Sequence, residues 1–575
     1  MKILTLHCDY IKFKPLKKAL KDTEELKTKG EIHVKEPLVV LTAVEKGDND
    51  KTVKQLLEAI KKTSEEVKTK NIVLYPYAHL SSNLANPATA LEYLVEAEHA
   101  LRKQKFNVTR APFGYYKEFE LKVKGHPLSE LSKEFRSDVE KLAETPKALA
   151  SKIEEEKYDI KQLLSQISRS KLDTSKLKEN DHRILGQKLN LFSFNEAAPG
   201  AIFWHDRGYI IYQELINFER KLIRDKGYQE ISTPQILDNK LWKISGHWSH
   251  FKDNMFLTSY ERRDFGVKPM NCPGAMLVYK TQTRSYKDLP LKLAEFGVVH
   301  RQELSGVLAG LFRLTKFTQD DAHVFCTKEQ IFQEVKEMLE IMEKIYKIFN
   351  LQYSVELSTR PKKFLGQKSD WDDAEKSLED VLKKLKIKYK LNKGDGAFYG
   401  PKIDVHLKDS LDRTWQCGTI QLDMQMPERF DLYYTDKNNT LKRPIVIHRT
   451  IIGAIERFIG ILLEHLNGAL PLWLSPTQVR VISFTDRNKK SVESFIKKIK
   501  EENPNLRIDA DLESTTVNEK IRNAELQKIP YILVIGDKEE SSNTIAVRER
   551  GKKPEFGVKI NDFVKEINEK LEKRT

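Results

Sequence analysis

The sequence predicts a multidomain protein of mixed α/β and α+β class, and three observations carry that reading. Its 575 residues are more than one hydrophobic core sustains and correspond to roughly three to five domains. Both ends alternate strand-like and helix-like stretches, as layered αβ units do. The middle, 181–472, is the largest block. It carries most of the tryptophans and several aromatic–glycine turns.

Along the chain, Pro37–Val44 reads as a buried strand and Thr52–Thr69 as a charged amphipathic helix. Asn71–Tyr77 is a second strand, closed by a polar turn at Ser81-Ser82-Asn83. A turn around Pro112-Phe113-Gly114 leads into an alternating strand, Glu118–Val123. Residues 136–180 are rich in Lys, Glu, Asp and Ser and predict a helical linker of two short helices. Tyr209–Lys226 has apolar residues at helical spacing and stops at Gly227; a strand follows and ends at Pro234. Beyond 473, Val479–Phe484, Leu506–Asp509 and Tyr531–Gly536 are strands between charged helices, a small, mostly parallel αβ domain. The expected partition is 1–135, 136–180, 181–472 and 473–575.

Composition narrows the function. With 32% charged and 39% hydrophobic residues, the chain is soluble and folded rather than disordered. Lys+Arg 99 against Asp+Glu 84 gives +15, which admits a nucleic acid or another polyanion as partner. No run of about 18 apolar residues predicts a membrane span, and the start, Met1–Asp9, turns polar too early for a signal peptide. Four cysteines, Cys8, Cys272, Cys326 and Cys417, make no disulfide framework and fit a reducing cytoplasm. There is no Cys-x-x-Cys pair and no Gly-x-x-x-x-Gly-Lys loop. A metal site must therefore be assembled from distant residues, and a nucleotide held by another device.

The most informative stretch is 299–326. An alternating strand ends in Arg301-Gln302-Glu303, a loop with Gly306 and Gly310 follows, and the chain returns through Arg313, Phe317 and Asp321. A guanidinium suits a phosphate, because it donates two parallel charge-assisted hydrogen bonds. A carboxylate two residues on shares its strand face and can accept from an amino group. An aromatic on the return strand can stack a base. Alone, the stretch could equally be a surface hairpin held by ion pairs. Further on, Gly453-Ala454-Ile455-Glu456-Arg457 opens an apolar helix with Arg457 in its first turns. Together 209–234, 299–326 and 453–463 resemble the three motifs of class II aminoacyl-tRNA synthetases, in the same order and spacing. The resemblance implies an antiparallel-sheet catalytic core and, through 209–234, a homodimer.

Met270-Asn271-Cys272-Pro273-Gly274, Asp320-Asp321-Ala322-His323 and Ile447-His448-Arg449 resemble the threonyl-tRNA synthetases in particular. So do Gly246-His247-Trp248, Ala397–Asp404 and Trp415–Thr419, and the likeness covers 181–575. It implies that Cys272, His323 and His448 hold one Zn2+ per subunit. Spacing alone would read each as a packed core residue, as it does Cys326 and Cys417. One thiolate and two imidazoles leave a coordination position open. Such a zinc can take the amino group and hydroxyl of L-threonine together and so reject valine, a pair that a hydrophobic pocket separates poorly. Asp321 would accept from the hydroxyl, with Gln319, Tyr399, Met270 and Lys402 completing the pocket. By the same resemblance Arg301 holds the α-phosphate of ATP, which binds with Mg2+, and stabilises the adenylating transition state. Glu303 reads the adenine amino group, Phe317 stacks the ring, Arg313 and Arg457 clamp the γ-phosphate end, and Gln416 and Thr419 line the ribose side. His247 assists transfer to the tRNA 3′ end. The catalytic set is thus Arg301, Lys402, His247 and Arg457.

The ends complete the likeness. Val517–Arg522, Ile535–Glu539 and Ala546–Arg548 resemble the anticodon-binding domain of these enzymes. Asn518, Lys520, Glu539 and Arg548 are the candidate base readers, since RNA sequence is normally read by hydrogen bonds to splayed bases. Leu74–Ser82, Ala111–Lys117 and Lys124–Glu130 resemble the editing domain of archaeal threonyl-tRNA synthetases, related to D-aminoacyl-tRNA deacylases. Serine keeps the hydroxyl and lacks one methyl, worth only about 1–3 kcal/mol, so a second, hydrolytic site is expected. His79, Tyr116, Lys117 and Glu130 would position Ser-tRNA and its attacking water; a buried Lys117–Glu130 ion pair is the structural alternative. The parts then read as editing domain 1–135, linker 136–180, catalytic domain 181–472 and anticodon domain 473–575. The chain would work in the cytoplasm on ATP, L-threonine and tRNA(Thr). Two other functions compete. A non-acylating RNA-binding relative is disfavoured by intact Arg301, Arg457 and the metal set. A zinc hydrolase is disfavoured by the lack of a general-base carboxylate at metalloprotease spacing.

Overall fold

The computed structural model describes every residue except 21–23, 27–29, 82, 136–158, 168–176, 410–412 and 575. Most of the expected linker lies outside the described residues; among those described, Ile160–Ile167 is a helix. The chain divides into two compact units, Met1–Glu155 and Glu156–Thr575. No helix among the described residues is long and apolar enough to cross a membrane.

The first unit is organised by one long strand, β1 (Lys2–Lys18). It pairs antiparallel with Ile32–Lys35 and Leu38–Ala43, and with β2 (Tyr115–Val123) and β3 (Glu130–Glu134). Leu38–Ala43, Asn71–Pro76 and Asn107–Arg110 run parallel. Leu38–Ala43 is buried at every residue, which is why it reads as an unbroken apolar run rather than an alternating one. The helix expected over Thr52–Thr69 spans Asp50–Glu66. Asn49 caps it by accepting from the Lys51 N–H, and Val53, Leu56 and Ile60 face inward. They join Ile3, Val40, Leu74 and Leu94 in the core.

The second unit holds α1 (His182–Lys188), the helix Asp206–Arg224 and α2 (Cys272–Lys280) ahead of its main sheet. Five strands form the centre of that sheet: β4 (Leu291–His300), β5 (Lys316–Cys326), β6 (Lys402–Lys408), β7 (Thr414–Asp423) and β8 (Ile445–Ala454). Their spatial order is β4-β5-β8-β7-β6 and every pairing among them is antiparallel. Gln229–Glu230 flanks β4, and Tyr353–Ser358 with Lys390–Asn392 flanks β6, giving eight strands. One face packs on Ile331–Ile348 and on α3 (Ile455–His465), burying Val335, Met342, Ile420, Ile451, Phe458 and Leu462. The strand expected to end at Pro234 is only two residues long, Gln229–Glu230.

At the C-terminal end, Ile508–Asp511, β9 (Val479–Ser483) and β10 (Tyr531–Ile535) are parallel. Thr544–Glu549 and Glu555–Lys559 are antiparallel additions, so the sheet is mixed rather than mostly parallel. The cause is connection length. The short helix Asp537–Ser542 is too little chain for a parallel crossover, which takes a dozen residues or more. The helix α4 (Val517–Leu526) precedes β10.

Candidate active site

Antiparallel register assembles the site in rows. His323 on β5 lies opposite His448 on β8, which lies opposite Gln421 on β7, which lies opposite Lys402 on β6. Asp321, Thr450, Thr419 and Asp404 form the neighbouring row. Cys272, the first residue of α2, reaches the same place from outside the sheet. The donor atoms of Cys272, His323 and His448 all lie within 4.8 Å of one another, and all three residues are buried.

The chemistry of this trio is that of a metal cradle. His448 Nε2 lies 2.9 Å from Asp423 Oδ2, so Nε2–H donates to the carboxylate and Nδ1 is the nitrogen left for a metal. His448 Nδ1 and His323 Nε2 are buried with no hydrogen-bond partner among the described residues. Burial holds His323 well below the usual histidine range, hence neutral. Unpartnered buried nitrogens are costly; a divalent cation accepting both lone pairs and the thiolate would satisfy them.

Around the cradle, Asp321 accepts from Asn271 Nδ2 at 3.1 Å, and burial pushes it up to about 6. The Tyr399 ring packs 5.3 Å from His448. Met270 and Gln319 are half-buried, two residues before Cys272 and on β5 respectively. Asp404 is a hub: Lys402 Nζ is 2.7 Å from its Oδ2, and Gln416 Nε2 and Thr419 Oγ1 donate to its Oδ1 at 2.6 and 3.3 Å. On the hairpin the Arg301 guanidinium lies 5.1 Å over the Phe317 ring, and its Nε donates to the Pro269 carbonyl. Arg313 pairs with Glu303 at 3.1 Å. Arg457 donates to the Phe312 carbonyl at 3.0 Å and to the Gln416 carbonyl at 3.1 Å. His247 is wholly buried, its Nδ1 2.8 Å from Ser245 Oγ and its ring edge-on to Phe398. Three participants escaped sequence reasoning: Asp423, Asn271 as the partner of Asp321, and Asp404 as the hub. Asn271 could have been found, since it lies inside the Met-Asn-Cys motif.

The first unit contains a cavity of about 500 Å3 whose lining includes Tyr75, His79, Phe113, Tyr116 and Lys117. Lys117 Nζ donates to the carbonyls of Pro112 and Tyr115 at 2.9 and 3.0 Å and lies 5.3 Å over the Tyr75 ring. Burial pushes it down to about 8. Glu130 departs from expectation. It is exposed on β3 opposite Leu6, whereas Lys117 is opposite Pro15 toward the other end of β1. The fold brings Glu130 neither into this cavity nor into an ion pair with Lys117.

Of the candidate base readers, Asn518 is exposed on α4 and Arg548 half-buried on Thr544–Glu549. Glu539 accepts from the Gly536 N–H at 3.0 Å. Lys520 also departs from expectation. It is buried and donates to the carbonyl and hydroxyl of Ser483 at 3.1 and 3.0 Å, so its charge serves the interior. Phe484, which the sequence did not single out, is 56% exposed beside Ser483.

An antiparallel sheet carrying an Arg-x-Glu hairpin, with a glycine-led helix supplying a further arginine, is a class II aminoacyl-tRNA synthetase core; 256–466 match the model of that core domain (G, H, P, S and T). Residues 1–135 match the archaea-specific editing domain of threonyl-tRNA synthetase, and 478–570 match an anticodon-binding domain. The chain belongs to the threonyl-tRNA synthetase family. It is 41% identical, at a TM-score of 0.66, to the RNA binding domain of threonyl-tRNA synthetase from Cryptosporidium parvum Iowa II, over 68% of this chain and 98% of that one. Threonine–tRNA ligases from Desulforamulus reducens and Carboxydothermus hydrogenoformans are 51% and 50% identical over 398 residues, covering 69% and 68% of this chain. The chain spans about 62% of the length of these ligases.

Proposed function

We propose that the chain is a cytoplasmic, homodimeric threonine–tRNA ligase that clears its own serine errors. Its parts are an editing domain (1–135), a linker (136–180), a catalytic domain (181–472) and an anticodon reader (473–575). Supporting the reading most directly is the convergence of a thiol and two unpartnered imidazole nitrogens beside Asp321. Cys272, His323 and His448 would hold one Zn2+, with Asp423 fixing the His448 tautomer. When bound, the ion supplies an open site for the amino group and hydroxyl of threonine, which valine cannot fill. Asp321 accepts from the substrate hydroxyl, and Gln319, Tyr399 and Met270 wall the pocket.

In the first step the threonine carboxylate attacks the α-phosphorus of Mg2+-bound ATP, the mixed anhydride forms and pyrophosphate leaves. Arg301 and Lys402 offset negative charge that grows on the phosphoryl oxygens. Glu303 and Phe317 hold the adenine, Arg313 and Arg457 the γ-phosphate end, Gln416 and Thr419 the ribose side. In the second step a ribose hydroxyl of the tRNA 3′ end attacks the acyl carbon and AMP leaves, with His247 assisting. Asn518, Glu539 and Arg548 face the anticodon. For editing, Lys117, with His79 and Tyr116 at the cavity mouth, orients the seryl ester. Water attacks its carbonyl and the tRNA hydroxyl leaves. Zinc-replete protein should exchange pyrophosphate into ATP with threonine and with serine but not with valine; no exchange with threonine overturns the ligase reading.

A further inference from the structure

A buried polar cluster lies outside the substrate pocket, where α1, α3 and the hairpin loop meet. Leu311 N–H donates to His182 Nε2 at 3.0 Å. That bond makes Nε2 the acceptor and puts the ring proton on Nδ1, which lies 2.7 Å from Glu464 Oε1. Glu464 also bonds the Arg413 guanidinium, whose Nε donates to Asp409 Oδ2 at 2.7 Å. The Phe312 ring packs against His182 at 4.3 Å and stacks on Trp415 at 4.3 Å, with Arg413 5.2 Å over it. The loop runs so close over the imidazole that a Cβ at Gly310 (φ +56°) would stand 2.3 Å from His182 Nε2. His182 and Glu464 are each 1% exposed.

The clamped segment is flanked by the two arginines assigned to the triphosphate. Phe312 offers its carbonyl to Arg457 Nε at 3.0 Å, and Arg313 is the next residue. We propose that His182 is a positioning residue for ATP: through Leu311 and Phe312 it fixes the loop that aims Arg313 and Arg457. Threonine is assigned to Asp321 and the metal cradle, none of whose residues touches the His182 cluster, and should not feel it. The inference rests on the ligase reading above.

The test varies ATP and threonine separately in pyrophosphate exchange, using the full zinc-loaded chain and His182→Phe, which keeps a ring and removes the acceptor. ATP KM should rise about tenfold, the scale of one lost buried hydrogen bond, with threonine KM within about twofold. His182→Gln, whose amide can accept from Leu311 and donate to Glu464, should recover most of the loss. An unchanged ATP KM, an equal rise for both substrates, or no recovery in His182→Gln overturns the inference. Should His182→Phe fail to fold by circular dichroism, Trp415→Leu removes the ring stacked on Phe312 and is read for the same split. If the wild type exchanges nothing, the ligase reading falls, and calorimetric ATP affinity of the same variants still decides the role of His182.

Discussion

Asp423 accepts from one imidazole nitrogen and thereby decides what the other can do. With Nε2–H tied to the carboxylate, His448 leaves Nδ1 as the nitrogen that a metal between Cys272 and His323 would take. Asp423→Asn keeps the shape and a hydrogen bond but removes the charge that raises the basicity of the ligand. Zinc affinity should fall about 10–100-fold, measured by competition with a chromogenic chelator; unchanged affinity would remove Asp423 from the site. None of this was legible from spacing, because Asp423 and His448 meet only through the β7–β8 register. Lys520 teaches the converse. A lysine on a charged helix is ordinarily solvated, and only the fold reveals that this one reaches Ser483. Cys272, His323 and His448 were legible through family motifs and not through their spacing.

At the scale of elements, pattern was enough where the environment was regular. The helix expected over Tyr209–Lys226 spans Asp206–Arg224, and Gly227 follows at φ +79°, a left-handed turn that favours glycine. Register was not legible, since nothing in a single strand says which partner it will meet, and register is what brings Asp321 beside the metal cradle. The three strands expected beyond 473 are the parallel ones; the antiparallel pair Thr544–Glu549 and Glu555–Lys559 was not expected, and the six-residue helix before it is too short for a parallel crossover. Beyond Asp206–Arg224 comes a three-stranded sheet, Ile236–Asp238, Leu257–Tyr260 and Arg263–Val267. It exposes Ile236 and Tyr260 on one face and Leu257 on the other, at 56%, 70% and 48%. Pairing of two chains through this region would cover it. Light scattering at micromolar concentration should return twice the chain mass; a monomer mass would contradict the dimer.

For the whole molecule, the +15 charge takes on a meaning that composition could not supply. A general preference for polyanions becomes an expectation of one RNA handled at an acylating site, a hydrolysing site and an anticodon reader. Under that expectation the two proposed sites answer different halves of one discrimination problem. In the proposed reading the metal cradle would separate threonine from valine by a hydroxyl, and the Lys117 cavity would remove serine, which shares that hydroxyl. On this reading neither site alone would give faithful charging, so the central claim is tested where both act together. Charging of tRNA(Thr) with threonine and with serine, side by side, in the wild type and in Lys117→Met, is that measurement. The wild type should accumulate Thr-tRNA and no Ser-tRNA, while Lys117→Met accumulates both. Stable Ser-tRNA in the wild type, or its continued clearance by Lys117→Met, would contradict the account.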